Sequence, residues 1–140
     1  DKVAASASGE GWMVLKNVGT GLCMDVAGGR TFNGTNVQSY ACNGSNAQRW
    51  YYEKSTGFLR SGVNWNSCLD NGGQNREGGK AVIWGCQNSN NMRWDFVGNT
   101  LRPRVANGIA VSAYGTSNSS NVGMSVLNTA NQRQQWVREF

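Results

Sequence analysis

The chain contains no histidine, which excludes His-based nucleophile triads, His-ligated zinc and the usual general base at neutral pH. Proline occurs once, and charged residues make up 15% of the sequence against roughly 25% in an average domain. Apolar runs are short. The longest, such as Ala81-Val82-Ile83-Trp84, fall far below the roughly 20 residues that a membrane-spanning helix needs. The opening segment, residues 1–11, has neither an initiator Met nor the apolar stretch of a signal peptide, and its Ala/Ser-rich part reads as a linker. Basic clusters are missing too: four Lys and nine Arg give a net charge of +5 but are scattered, the densest being Arg102-Pro103-Arg104. No nucleic-acid partner is therefore expected, because clustering is the usual electrostatic footprint of one.

What the chain does hold is amide, glycine and aromatic rings. It has 19 Gly, 18 Asn, six Trp, four Tyr and four Phe in 140 residues. That length suits one domain, and the aromatic content argues against disorder. Gly and Asn are poor in helix interiors and good in turns, so short strands joined by many turns are expected.

Three segments of the chain align. Trp50, Trp94 and Trp136 are 44 and 42 residues apart, and Asp25, Asp70 and Ser112 are 45 and 42 apart. Short or alternating apolar runs lie between Gly and Asn clusters in each unit, the mark of half-buried strands. A unit of this size cannot bury a face alone. Three of them (about 12–53, 54–97 and 98–140), each of four short strands, should close around a pseudo-threefold axis filled by the recurring Trp and its Leu and Val neighbours. In this alignment Leu127 takes the place of Tyr40 and Trp84.

The cysteines follow the same repeat. Cys23 and Cys42 are 19 residues apart, and Cys68 and Cys86, at the equivalent places, are 18 apart. Of three connectivities, only Cys23–Cys42 with Cys68–Cys86 keeps each bridge within its unit. The third unit has Ala110 and Thr129 there, a joint loss that suits a bridge. Zinc held by all four cysteines is the alternative, though the CxxC spacing typical of zinc is absent. Bridges of this loop length stabilise by about 3 kcal/mol each and imply a secreted or periplasmic protein.

Gln48-Arg49-Trp50 and Gln134-Gln135-Trp136, two examples of a QxW signature, together with Cys-x-Asp at Cys23 to Asp25 and Cys68 to Asp70, resemble the ricin-B-type lectins over about residues 12–140. The resemblance implies an all-β fold, the β-trefoil of twelve strands, with shallow sugar sites and no cofactor or metal. In such a site an Asp accepts adjacent sugar hydroxyls in a directional fork, an aromatic ring covers the C–H face of a galactose-like sugar, and an amide completes the set. Unit two supplies Asp70, Trp84 and Asn91, the full set of residue types and so the first choice of site, with Met92 where the Gln of QxW is expected. Unit one supplies Asp25, Tyr40 and Gln38; Ala47 replaces the expected amide, with Asn43 and Asn46 as substitutes. Unit three, with Ser112, Leu127 and Arg133, is expected to have no typical site.

These residues imply a non-catalytic module for galactose- or N-acetylgalactosamine-type sugars on cell-surface glycoproteins or glycolipids. It would touch membranes only through glycans and be fused to a larger N-terminal region, such as a secreted pore-forming toxin of the hemolysin type. The alternatives are a polysaccharide-binding module of a glycoside hydrolase, or a trefoil that binds a protein or acidic polymer. A glycosidase pair is poorly supplied: Asp25 and Asp70 belong to different units, and Glu10, Glu53, Glu77, Asp95 and Glu139 do not repeat. Asn33, Asn43 and Asn118 match the glycosylation acceptor pattern, as chance allows in so Asn-rich a chain.

Overall fold

The computed structural model describes residues 10–140, so most of the linker-like segment lies outside the described residues. Unit one contains β1 (Trp12–Asn17), β2 (Cys23–Val26), β3 (Val37–Tyr40) and β4 (Trp50–Glu53). Unit two contains β5 (Phe58–Ser61), β6 (Asn64–Asp70), β7 (Gly79–Lys80), β8 (Val82–Gly85) and β9 (Trp94–Val97). Unit three contains β10 (Thr100–Pro103), β11 (Ile109–Ala113), β12 (Val122–Val126) and β13 (Trp136–Glu139). The thirteenth strand, absent from the sequence reading, is β7. Gly79 and Lys80 pair with Met124 and Gly123 of β12, and Ala81 separates them from β8.

Six strands close into a barrel. β1 pairs with β4, β4 with β5, β9 with β10, and β13 with β1. The two remaining seams are a Phe58–Arg93 bridge and a hydrogen bond from the Trp136 N–H to the Asn99 carbonyl at 2.8 Å. The other strands form three hairpins, β2–β3, β6–β8 and β11–β12. They meet in a triangle: Val37 N–H donates to the Ala81 carbonyl at 3.0 Å, Ala81 N–H to the Val122 carbonyl at 2.9 Å, and Gln38 bridges to Asn121. Val37, Ala81 and Val122 hold equivalent places, one before the partner of Asp25, Asp70 and Ser112, and all are fully buried. This is a β-trefoil.

The recurring Trp residues fill the core as the repeat requires. Trp50, Trp94 and Trp136 are fully buried, as are Leu15, Leu59 and Leu101 at the equivalent first strands. A buried indole N–H needs an acceptor. Trp50 donates to the Met24 carbonyl at 3.1 Å, Trp94 to Leu69 at 2.9 Å and Trp136 to Val111 at 3.0 Å. Met24, Leu69 and Val111 each stand immediately before the Asp or Ser of their unit. Both expected disulfides are formed, with Cα separations of 5.1 Å for Cys23–Cys42 and 5.2 Å for Cys68–Cys86, which removes the zinc alternative.

The pairing registers correct the alignment of unit three at two positions. Asp25 faces Gln38, Asp70 faces Val82 and Ser112 faces Gly123. Tyr40, Trp84 and Ser125 are therefore equivalent, and Leu127, two residues on, stands at the place of Cys42 and Cys86, so it is not the ring position and Thr129 is not the second cysteine position. The loop of unit three has one extra residue between Asn128 and Gln134, which accounts for one of the two positions separating Leu127 from Ser125, the apolar run Val126-Leu127 accounting for the other.

Replacing any core Trp by Phe orphans one buried carbonyl and leaves volume unfilled. Trp50→Phe, Trp94→Phe and Trp136→Phe should each cost about 2–4 kcal/mol in urea unfolding, at similar levels in all three units.

Candidate functional site

In unit one the β2–β3 pairing sets Asp25 opposite Gln38 and Cys23 opposite Tyr40. The 3-10 turn Asn46–Gln48 then brings Gln48 beneath the carboxylate. Asp25 Oδ1 accepts from Gln38 Nε2 at 3.2 Å, and Oδ2 accepts from Gln48 Nε2 at 2.9 Å. Gln48 cannot turn over, because Nε2 also donates to the Ala41 carbonyl at 2.9 Å and Oε1 accepts the Asn43 N–H at 2.8 Å. A carboxylate has about four lone-pair directions, so those not used here stay available to hydroxyl donors.

Asp25, Gln38, Tyr40, Asn43 and Asn46 line one open cleft of about 750 Å³. Every site residue expected in unit one is thus brought together. Tyr40, at 36% exposure, shows its ring at the rim, while Asp25 and Gln38 lie low in the floor. Asn43 spends its Oδ1 on the Ser45 N–H at 3.0 Å, which shapes the turn. The remaining wall includes Gly28, Gly29 and Arg30, with Val63 from unit two and Ser119 from unit three. Gly28 and Gly29 have φ of 65° and 63°, successive left-handed residues that only glycine adopts readily. Sequence reasoning missed these walls. The Gly28-Gly29 pair could have flagged a tight turn, but Val63 and Ser119 arrive from other units and carry no local signal.

Unit two is built differently. Asp70 faces Val82, and Trp84 faces Cys68. Both amides of unit one are replaced by apolar groups, Val82 for Gln38 and Met92 for Gln48. Met92 is buried against Phe58, Cys68 and Cys86. The loop that Gln48 clasps in unit one is held here by Arg93, whose guanidinium donates to Asn88 Oδ1 at 2.9 Å and Asn90 Oδ1 at 3.3 Å. Asp70 Oδ1 accepts the Gly72 N–H at 2.6 Å. Burial pushes this carboxyl above its ordinary value, with the Gly72 N–H pulling the other way. Trp84 is 41% exposed, and the turn from the neighbouring unit lies beside it, Asn33 Oδ1 accepting the Gly85 N–H at 2.8 Å. Asn91 is tied through its carbonyl to the Asn71 N–H at 3.1 Å.

In unit three Ser112 and Ser125 replace the carboxylate and the ring, both buried. Gln134 nevertheless makes the loop clasp, donating to the Val126 carbonyl at 2.9 Å and accepting the Asn128 N–H at 2.8 Å. Other carboxylates serve local structure: Glu53 pairs with Arg60 at 3.1 Å, Asp95 with Arg104 at 2.9 Å, and Glu77 accepts the Val126 N–H at 2.8 Å. The three glycosylation-pattern asparagines do likewise, with Asn118 Oδ1 accepting the Ala41 N–H at 2.8 Å.

Residues 11–136 match the model of the ricin-type beta-trefoil lectin domain. The designed threefold-symmetric protein ThreeFoil superposes with a TM-score of 0.82 at 22% identity, over 92% of this chain and 98% of its own. The C-half of an earthworm R-type lectin, solved with GalNAc, gives 0.78 at 16% identity, over 91% and 97%. The β-trefoil lectin of the Vibrio vulnificus hemolysin/cytolysin, solved with N-acetyl-D-lactosamine, gives 0.78 at 24% identity, over 94% and 95%. At such identities these structures share the fold. No curated protein sequence matches the chain.

Gln48→Met, which installs the residue of unit two, removes three hydrogen bonds and should cost about 1–3 kcal/mol in chemical denaturation. Gln134→Met, with no carboxylate above it, should cost less. Because the Asp70 carboxyl is raised in the folded protein, its ionisation penalises the native state as pH rises and costs nothing where both states are protonated. Asp70→Asn, whose Oδ1 still accepts the Gly72 N–H, should match or exceed the wild-type Tm at pH 7. That advantage should vanish in melts below about pH 4, near the unfolded carboxyl's own value.

Proposed function

Because the chain belongs to the ricin-type β-trefoil lectin family, whose domains bind carbohydrate, we propose that it is a non-catalytic receptor for terminal galactose- or N-acetylgalactosamine-type sugars on cell-surface glycans. The observation that carries this is the unit-one cleft, where Asp25, Gln38, Tyr40, Asn43 and Asn46 line one concave surface. The floor carboxylate is held by two amides and keeps lone pairs for a pair of sugar hydroxyls. Tyr40 offers a ring for the apolar face of the sugar. The GalNAc bound by the earthworm lectin and the N-acetyl-D-lactosamine bound by the Vibrio trefoil support this sugar class. Unit two, with Asp70, Trp84 and Asn91, is a second site. Open sites of this kind bind single sugars weakly and gain by multivalency.

The module would target a larger secreted protein to cells. Two disulfides favour an oxidising compartment, and the Vibrio trefoil comes from a hemolysin, which supports a pore-forming parent.

Calorimetric titration with methyl β-galactoside tests the assignment. Asp25→Ala should abolish the unit-one component of binding and leave only that of unit two, Tyr40→Ala should weaken the unit-one component about tenfold, and raising salt from about 50 to 200 mM should leave binding nearly unchanged. A folded protein blank on every galactose- and N-acetylgalactosamine-terminated glycan would sink the proposal. Steeply salt-dependent capture of a polyanion would replace it.

A further inference from the structure

Beside the unit-one cleft lies a second, smaller hollow of about 210 Å³, lined by Trp12, Asn46, Arg49 and Gly62. Asn46 also lines the cleft, so one side chain stands between the two cavities. The hairpin between β5 and β6 runs along both, Val63 facing the cleft and Gly62 the hollow. Gly62 is there because the turn comes so close: a Cβ at this position would lie 2.6 Å from the Asn46 carbonyl oxygen and 2.9 Å from Arg49 Cβ. Its N–H donates to the Arg49 carbonyl at 2.7 Å, which fixes the ridge between the two cavities.

The far side of the hollow is an exposed aromatic patch. Trp12 on β1 faces Tyr51 on β4 across the strand pair, and Trp65 on β6 completes a mutual edge-to-face set with centroids 5.7, 5.9 and 5.2 Å apart. Trp12 and Trp65 are 37% and 45% exposed, whereas the three core Trp are fully buried. These two rings belong to no repeated position of the trefoil, so the pseudo-threefold core does not account for them. Two cations flank the patch in different states. Arg60 is committed to Glu53 and to the Trp65 carbonyl at 2.9 Å. Arg49 is exposed, its guanidinium over the Trp12 ring at 5.8 Å, and it makes no ion pair among the described residues.

An exposed Trp face beside an uncommitted guanidinium, one side chain away from a cleft for a terminal sugar, matches the chemistry of a second sugar ring. The ring covers C–H surface, and the planar guanidinium donates to hydroxyl or amide oxygens. We infer that the hollow is an extension subsite for the next sugar of the same glycan, with Trp12 stacking on that sugar and Arg49 donating to its oxygens. This rests on the unit-one cleft taking the terminal galactose. A ligand spanning both cavities would be read as an oligosaccharide of defined linkage, and monosaccharides would report only the cleft's share of the affinity.

The test titrates the full chain with methyl β-galactoside and with galactose-terminated disaccharides of 1→3, 1→4 and 1→6 linkage. At least one linkage should bind about tenfold or more tighter than the monosaccharide. Trp12→Ala should erase that gain and leave methyl β-galactoside within about twofold of wild type, with Arg49→Ala cutting the gain several-fold. Arg49 is exposed, so its variant stays informative if Trp12→Ala fails to fold. Affinity that is flat across all linkages, while Asp25→Ala still removes the unit-one component of monosaccharide binding, overturns the subsite and spares the cleft. A gain that survives in both folded variants overturns it as well, leaving the aromatic patch to hold β1, β4 and β6 together. No galactoside binding by the wild type would remove the cleft assignment and the subsite with it.

Discussion

The structure depends on a hydrogen bond made three times, from the buried indole of Trp50, Trp94 and Trp136 to a carbonyl in the second strand of the same unit. A large ring in the core supplies burial, but its single N–H must be satisfied or the gain is largely lost. Meeting that demand on Met24, Leu69 and Val111 locks the second strand against the barrel. The next residue along the chain is Asp25, Asp70 or Ser112. Side chains alternate across a strand, so fixing Met24 towards the core turns its neighbour to the opposite face. The position of the cleft carboxylate is in this sense a consequence of core packing one residue away.

Much of this was legible because the residues that carry it are chemically distinctive and repeat. The Trp spacing announced three units, and paired cysteines at matching places announced both bridges. The Cys-x-Asp motifs located the floor of the cleft, and Tyr40, Gln38, Asn43 and Asn46 were all read from the chain. What could not be read comes from the closure of the trefoil. Val63 and Ser119 reach the cleft from other units, and Arg30 reaches it over two left-handed glycines. The strand at Gly79 and Lys80 exists only because β12 passes beside it. The ring position of unit three was misplaced because Leu127 mimics the apolar pattern while the extra loop residue shifts the frame. Neither Cys nor Asp is present there to anchor the alignment.

Comparison of the three units separates two roles that the QxW glutamine combines. In unit three Gln134 clasps its loop through Val126 and Asn128, although no carboxylate is present. Gln48 makes the same two bonds in unit one and adds a third, to Asp25. The clasp is therefore the general function, and support of the carboxylate is an addition that exploits an amide already fixed in orientation. Unit two does without the clasp by burying Met92 against its disulfide and binding the loop through Arg93. Its Asp70 then lacks amide support and relies on the Gly72 N–H, which only partly offsets the burial that raises its carboxyl.

That difference bears on how each unit would hold a sugar. Binding a hydroxyl pair to a carboxylate costs least when the carboxylate is already oriented and partly dehydrated. Asp25 meets this description, since both oxygens are held before any ligand arrives and neither amide needs to move. Asp70 sits in an environment that disfavours its charge, and one oxygen is engaged in the turn that follows it. An exposed Trp84 offers a larger stacking face than Tyr40, so unit two would draw more on the ring and unit one more on the carboxylate. Two sites of unlike balance on one small domain would respond differently to changes in the sugar's hydroxyl pattern. Specificity would then arise from the pair of units, although the fold that carries them is close to symmetric.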